Sequence, residues 1–215
     1  FSLLNTFWFG TAKNYFTGLA KPVTTQSNVS APSNSSNPNP IGDIDPAFLS
    51  SAQKESKFLF QLSTGDGDLR HYRMNDRLDI APRPINVIHN YYPTQRPWYV
   101  TAQKKGSLVW NDIAVTIALP QVLAIVISTP YESLETHELV GVVAATMNLF
   151  TVSKVLRSLP RFKSSRMFIV DRNMGLVAAN EGSLIDESDP DGRPSVLDAR
   201  LSSDLIVRET ALEME

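Results

Sequence analysis

The residues best suited to binding chemistry lie in one run, Tyr91-Tyr92-Pro93-Thr94-Gln95-Arg96-Pro97-Trp98-Tyr99, with four aromatic rings, one arginine and two prolines. Each proline fixes its own φ and pushes the residue before it toward extended geometry. The backbone around Arg96 is therefore ordered in advance. A guanidinium offers a planar fork of donors suited to a carboxylate. The rings supply an apolar wall, and the Trp98 N–H adds a donor. Such a set fits a small anionic or zwitterionic ligand. The competing reading is plain core packing, with Arg96 paired to a local acid.

Other chemistry finds less support. His71, His89 and His137 have no metal-like spacing. Ser128-Thr129 lacks the glycine-flanked elbow of a nucleophilic serine. Asp76, Asp79 and Asp112 form no evident acid–base pair. Gly65-Asp66-Gly67-Asp68 lacks the ligand spacing of a calcium loop and reads as a hairpin turn. With no cysteine, disulfides and thiolate sites are excluded. No cofactor is expected. A net charge of −2 gives no basic face for nucleic acid.

The 215 residues, 42% of them hydrophobic, allow one large domain or two small ones. No apolar segment is long enough to span a bilayer, and no signal peptide is visible. Residues 1–20 place Leu4, Trp8 and Tyr15 near one helical face, with Phe9 and Phe16 likewise, so a helix is expected. Residues 21–46 are rich in Ser, Asn and Pro and read as a loop. Within them Asn28-Val29-Ser30 and Asn34-Ser35-Ser36 match the N-glycosylation pattern. Asp45-Pro46-Ala47 opens a short helix.

Strands are expected at 57–62 and 69–74, an irregular one at 77–88, and others at 108–117, 122–129 and 139–147. A helix is expected from Trp98 to Lys105, stopped at Gly106. A second runs over 148–159, capped by Asn148, with Leu149, Val152, Leu156 and Leu159 on one face. A hairpin surrounds residues 171–175, a polar loop covers 181–195, and residues 196–212 are helical with a break at 202–204.

Four blocks carry a resemblance: Arg96-Pro97-Trp98-Tyr99, Val109-Trp110-Asn111-Asp112, Ile127-Ser128-Thr129-Pro130-Tyr131, and residues 139–145. In this order and spacing they look like a double Cache domain, the extracytoplasmic sensor module of chemoreceptors, sensor kinases and some nucleotide cyclases. The run from Met167 to Ala178 resembles the opening strand pair of its membrane-proximal unit. The resemblance covers about residues 55–212 and is closest to cyanobacterial-type sensors.

It implies an α+β fold of two PAS-like units, with antiparallel sheets flanked by helices. Residues 1–20 would form the N-terminal helix, 21–46 a loop and 47–147 the membrane-distal unit. Residues 148–160 would be a connecting helix, and 161–215 the start of an incomplete proximal unit. Both ends then read as cut from membrane anchors.

In amino-acid-binding members of that family, an arginine and a tryptophan hold the ligand carboxylate and an aspartate holds its amine. Tyr91, Arg96, Trp98 and Tyr99 match the motif. The motif's further tyrosine, which follows the Trp-Ser/Asn-Asp strand, falls on Ala114 and the aspartate on Thr146. A neutral threonine forgoes a charge-assisted bond of about 1.5–3 kcal/mol. Three readings stay open: a carboxylate without an amine, a different ligand, or no ligand.

The expected site is Tyr91, Arg96, Trp98 and Tyr99, lined further by Trp110, Asp112, Tyr131 and Thr146. The expected function is non-catalytic ligand sensing for a transmembrane receptor, whose output domain can be a histidine kinase or nucleotide cyclase. The alternative is an interaction or adhesion module with a vestigial pocket. Expected partners are a small carboxylate ligand, the membrane through flanking helices outside this chain, and a second copy as a homodimer.

Overall fold

The computed structural model describes residues 6–20, 58–75, 77–116, 122–160, 162, 164–186 and 195–214. The chain forms two compact units. The first comprises Phe1–Asp112 and Val126–Thr146, the second Ile113–Ile125 and Met147–Glu215. The architecture is α+β, as expected. The loop expected at 21–46, its two glycosylation patterns and the short helix at Asp45 lie outside the described residues.

The expected N-terminal helix is instead a β-hairpin, β1 (Thr6–Thr11) and β2 (Tyr15–Ala20). Burial in β2 alternates strictly, with Phe16, Gly18 and Ala20 inside, which is the period of a strand and not of a helix. Asn14 makes the turn at φ 62°, a left-handed conformation asparagine tolerates. Gly10 and Gly18 penalise a helix, while the neighbouring aromatics suit a pleated sheet.

The hairpin joins β3 (Phe58–Thr64) on one side and β9 (Leu139–Asn148) on the other. The large sheet is completed by β4 (Asp68–Met74), β5 (Asn86–His89), β6 (Val109–Trp110) and β8 (Leu123–Glu132). Its order is β5-β4-β3-β2-β1-β9-β8-β6, with β7 (Ala114–Val115) also on β8. The strand expected over 77–88 is confined to Asn86–His89. That expected over 108–117 breaks into β6 and β7 at Asn111-Asp112-Ile113.

Antiparallel register lines up three rungs on one face of this sheet. One runs Val142, Gly10, Phe16, Ser63. The next runs Ala144, Trp8, Gly18, Gln61, His71. The third runs Thr146, Thr6, Ala20, Leu59. Helix α1 (Pro97–Lys105) packs on this inner face, because Gly10 lies against Trp98 and Tyr99. As expected, Gly106 ends α1 in the left-handed region, at φ 60°.

In the second unit, α2 (Leu149–Ser158) starts at Asn148, whose side chain accepts the Thr151 N–H at 2.7 Å. This helix was expected to join the units. It lies within the second, where Leu149 shares a core with Leu123 and Val177, and Ser153 Oγ accepts the Ala179 N–H. Strands β10 (Phe168–Val170) and β11 (Leu176–Ala179) form the expected hairpin.

A second small pair, β12 (Ile185–Asp186) with β13 (Ser195–Val196), occupies the ends of the expected polar loop. Helix over 196–212 is reduced to a 3-10 turn at Ala199–Leu201 and α3 (Leu205–Leu212), on either side of the expected break. Leu176, Ala199, Val207 and Ala211 form its other core. Among the described residues, no helix is long and apolar enough to cross a membrane.

Candidate functional site

Arg96 is held by its backbone from both sides. Its N–H donates to the Pro93 carbonyl at 2.9 Å, closing a 3-10 turn at Pro93–Gln95. Its carbonyl accepts the Tyr99 and Val100 N–H groups, both at 3.0 Å, as the residue before α1. Asn14 reaches across from the β1–β2 turn, its Oδ1 accepting the Thr94 hydroxyl at 2.6 Å. Two prolines and one asparagine thus fix the segment.

The half-buried Arg96 side chain lies 5.7 Å from the Tyr91 ring centroid, within cation–π range. Arg70, Arg166, Arg200 and Arg208 all pair with carboxylates, whereas Arg96 pairs with none among the described residues. Tyr91 is buried, and burial pushes its phenol well above the usual tyrosine range, with Arg96 and a hydrogen bond from Trp98 only partly opposing. It stays protonated.

Around Trp98 the rings close up. Trp8 lies 5.9 Å away, Tyr99 5.6 Å and Phe16 6.4 Å, while Phe16 meets Tyr91 edge-on at 5.3 Å. The Trp98 carbonyl accepts the Ser128 hydroxyl at 2.9 Å, and Asn111 Nδ2 donates to the same Ser128 at 2.9 Å. This chain anchors the first turn of α1 to β8.

Tyr91, Arg96, Trp98 and Tyr99 therefore come together, and Thr146 lies on the same inner face through its pairing with Thr6. Three expected lining residues do not join them. Trp110 pairs with Ile127, one step from the inward Ser128, so it points to the other face and is 61% exposed. Tyr131, an odd number of residues from Ser128, also points outward, edge-on to Phe9. Asp112 is exposed at the break between β6 and β7.

Four buried side-chain polar atoms of the inner layer have no partner among the described residues: Trp8 Nε1, Ser63 Oγ, Tyr99 Oη and Thr146 Oγ1. Each such group left unmet costs about 1–3 kcal/mol, so a folded chain seldom leaves them so. Beside them, buried His71 meets the side-chain amides of Gln61 at 3.2 Å and Asn86 at 3.3 Å. Burial lowers its imidazole to about 4, so it is neutral at physiological pH. Trp8 escapes sequence reasoning that reads residues 1–20 as helix, and Ser63 lies one residue past the strand expected at 57–62. Counting alternate positions along β1 to β3 would have found them. Among the described residues, no group of His, Asp and Glu could hold a metal.

No protein-family model matches this chain, and no curated protein matches it. Solved structures similar to it are ligand-binding domains of chemoreceptors. One is from the Pseudomonas fluorescens chemoreceptor CtaA in complex with L-serine, at 14% identity and TM-score 0.43, covering 91% of this chain and 52% of that one. Another, from a Campylobacter jejuni chemoreceptor in complex with L-valine, has 14% identity and TM-score 0.40, covering 62% and 48%. A methyl-accepting chemotaxis protein has 12% identity and TM-score 0.47, covering 98% and 59%. This chain thus spans roughly half the length of the structures it matches.

Proposed function

We propose that this chain is an extracytoplasmic ligand-sensing domain of a transmembrane signalling receptor. It takes a small, carboxylate-bearing ligand in its first unit, against Tyr91, Arg96, Trp98, Tyr99 and Thr146. The observation that carries this reading is Arg96, a half-buried cation on an aromatic wall that pairs with no acid among the described residues. Orphaned polar atoms in the adjoining layer add support. Occupation favours one arrangement of the unit by its differential affinity for the two, and that difference is what a receptor can transmit.

A thermal-shift screen against small carboxylates, amino acids, amines and purines tests the reading. A ligand at 100 times its dissociation constant adds about 2.7 kcal/mol of stability. The expected result is a carboxylate hit that disappears in Arg96→Ala while that variant stays folded. Unchanged affinity in Arg96→Ala removes the site.

One feature favours the second reading, an interaction module. The outward face of the large sheet exposes Phe7, Leu19, Trp110 and Tyr131 by 44–61%. A flat screen with a well-folded protein selects it.

A further inference from the structure

We infer that the ligand's second polar group is an uncharged oxygen, held by Trp8 and Thr146, so that the ligand class is a hydroxy- or oxo-carboxylate and not an amino acid. This rests on the proposed carboxylate site and names its ligand. Trp8 and Thr146 are diagonal neighbours on the paired strands β1 and β9, since Trp8 opposes Ala144 and Thr6 opposes Thr146. Such diagonal positions are about 7–8 Å apart, within reach of one small group when a side chain is as large as tryptophan.

Both side chains bring a buried polar atom that meets no partner among the described residues. Trp8 in turn lies 5.9 Å from Trp98 and 6.3 Å from Phe16, and Phe16 meets Tyr91 edge-on at 5.3 Å, on whose ring Arg96 rests. The cation and the two orphans therefore belong to one continuous layer.

The donor inventory decides the class. An indole N–H can only donate, and a threonine hydroxyl can donate or accept. An ammonium can only donate, so against Trp8 it meets a donor, and against Thr146 it finds no negative charge. Burying it there leaves a charge unpaired. A ligand hydroxyl or keto oxygen accepts from Trp8 and exchanges a bond with Thr146. A site built to hydrogen-bond one group rejects the analogue that cannot answer it.

Calorimetric titration with matched pairs tests this: L-lactate against L-alanine, L-malate against L-aspartate, and 2-hydroxyisocaproate against L-leucine. In at least one pair the hydroxy acid is expected to bind about tenfold or more tighter than the amino acid. Trp8→Phe, which keeps a ring and removes the N–H, is expected to shrink that preference to within about threefold. Thr146→Val, nearly equal in volume, provides a second probe should Trp8→Phe unfold, and should also narrow it. Thr146→Asp is expected to move the preference toward the amino acid.

Amino acids binding as tightly as their hydroxy analogues, or a preference untouched in a folded Trp8→Phe or Thr146→Val, overturns the inference while the carboxylate site stands. Failure of every probe, or binding indifferent to Arg96→Ala, instead overturns the carboxylate site on which it rests.

Discussion

Gly10 lies so close to Trp98 that a Cβ added to it would stand 2.9 Å from the indole Cη2, and equally 2.9 Å from the Pro93 Cβ. Real Cβ atoms do not approach so near. The absence of a side chain at Gly10 is what lets Trp98 and the Pro93 turn settle onto β1. Gly10→Ala must therefore push both away. We expect a loss of about 1–3 kcal/mol in denaturant unfolding, the range of an overpacked core. Carboxylate binding should weaken with it, because the same turn leads into Arg96.

Ser128→Ala removes the hydroxyl that donates to the Trp98 carbonyl and accepts from Asn111. It removes two buried hydrogen bonds, at a cost of about 1–3 kcal/mol. Chemical denaturation should show that loss. Far-ultraviolet circular dichroism should stay unchanged, since both lost bonds are made by the Ser128 side chain and neither is a backbone-ladder bond.

His71 gives the first unit a pH dependence of defined sign. Its imidazole titrates at about 4 when folded, against 6.5 ordinarily. Above 6.5 both folded and unfolded chains are neutral there, and the group contributes nothing. As pH falls from 6.5 toward 4 the unfolded chain takes up a proton that the folded one resists, so stability drops. The limit of that drop is roughly 3 kcal/mol, reached near pH 4. Unfolding midpoints measured from pH 7.5 to 4 should show it, and His71→Gln should flatten the profile over this interval.

Asp204 caps α3, accepting the Ile206 N–H at 3.0 Å and the Val207 N–H at 3.3 Å, while Arg166 bonds its other oxygen. Asp204→Asn retains the cap and loses the ion pair, whereas Asp204→Ala loses both. The alanine variant should be less stable than the asparagine variant by about 1 kcal/mol in thermal unfolding.

Much of this was legible in the chain. The β3–β4 hairpin follows from Gly65-Asp66-Gly67-Asp68 between alternating residues. Helix α1 follows from Pro97 and Gly106, and α2 from the Asn148 cap and the apolar face of Leu149, Val152 and Leu156. These signals are local. The N-terminal hairpin was hidden because Phe7, Trp8 and Phe9 are consecutive aromatics, so neither face declares itself by polarity. The strand that pairs with β1 on its other side lies more than a hundred residues away in β9. Misreading β1 concealed Trp8. The errors at Trp110 and Tyr131 arise differently. Both are aromatics in the right blocks, but strand parity, counted from Ser128, sends each to the outward face.

The boundary between the units falls inside strands, between Ile125 and Val126 in β8 and between Thr146 and Met147 in β9. The chain enters the second unit at Ile113, leaves it at Val126 and returns at Met147. No single scissor point separates two self-sufficient pieces. A fragment beginning at Met147 lacks Leu123 and Ile113, which pack with Leu149 and Val177. A fragment ending at Asp112 lacks β8 and β9, and with β9 the far partner of β1. Ribosomal synthesis meets the same constraint: β1 emerges before β9 and must wait for it before its outer edge is covered, so this sheet closes late.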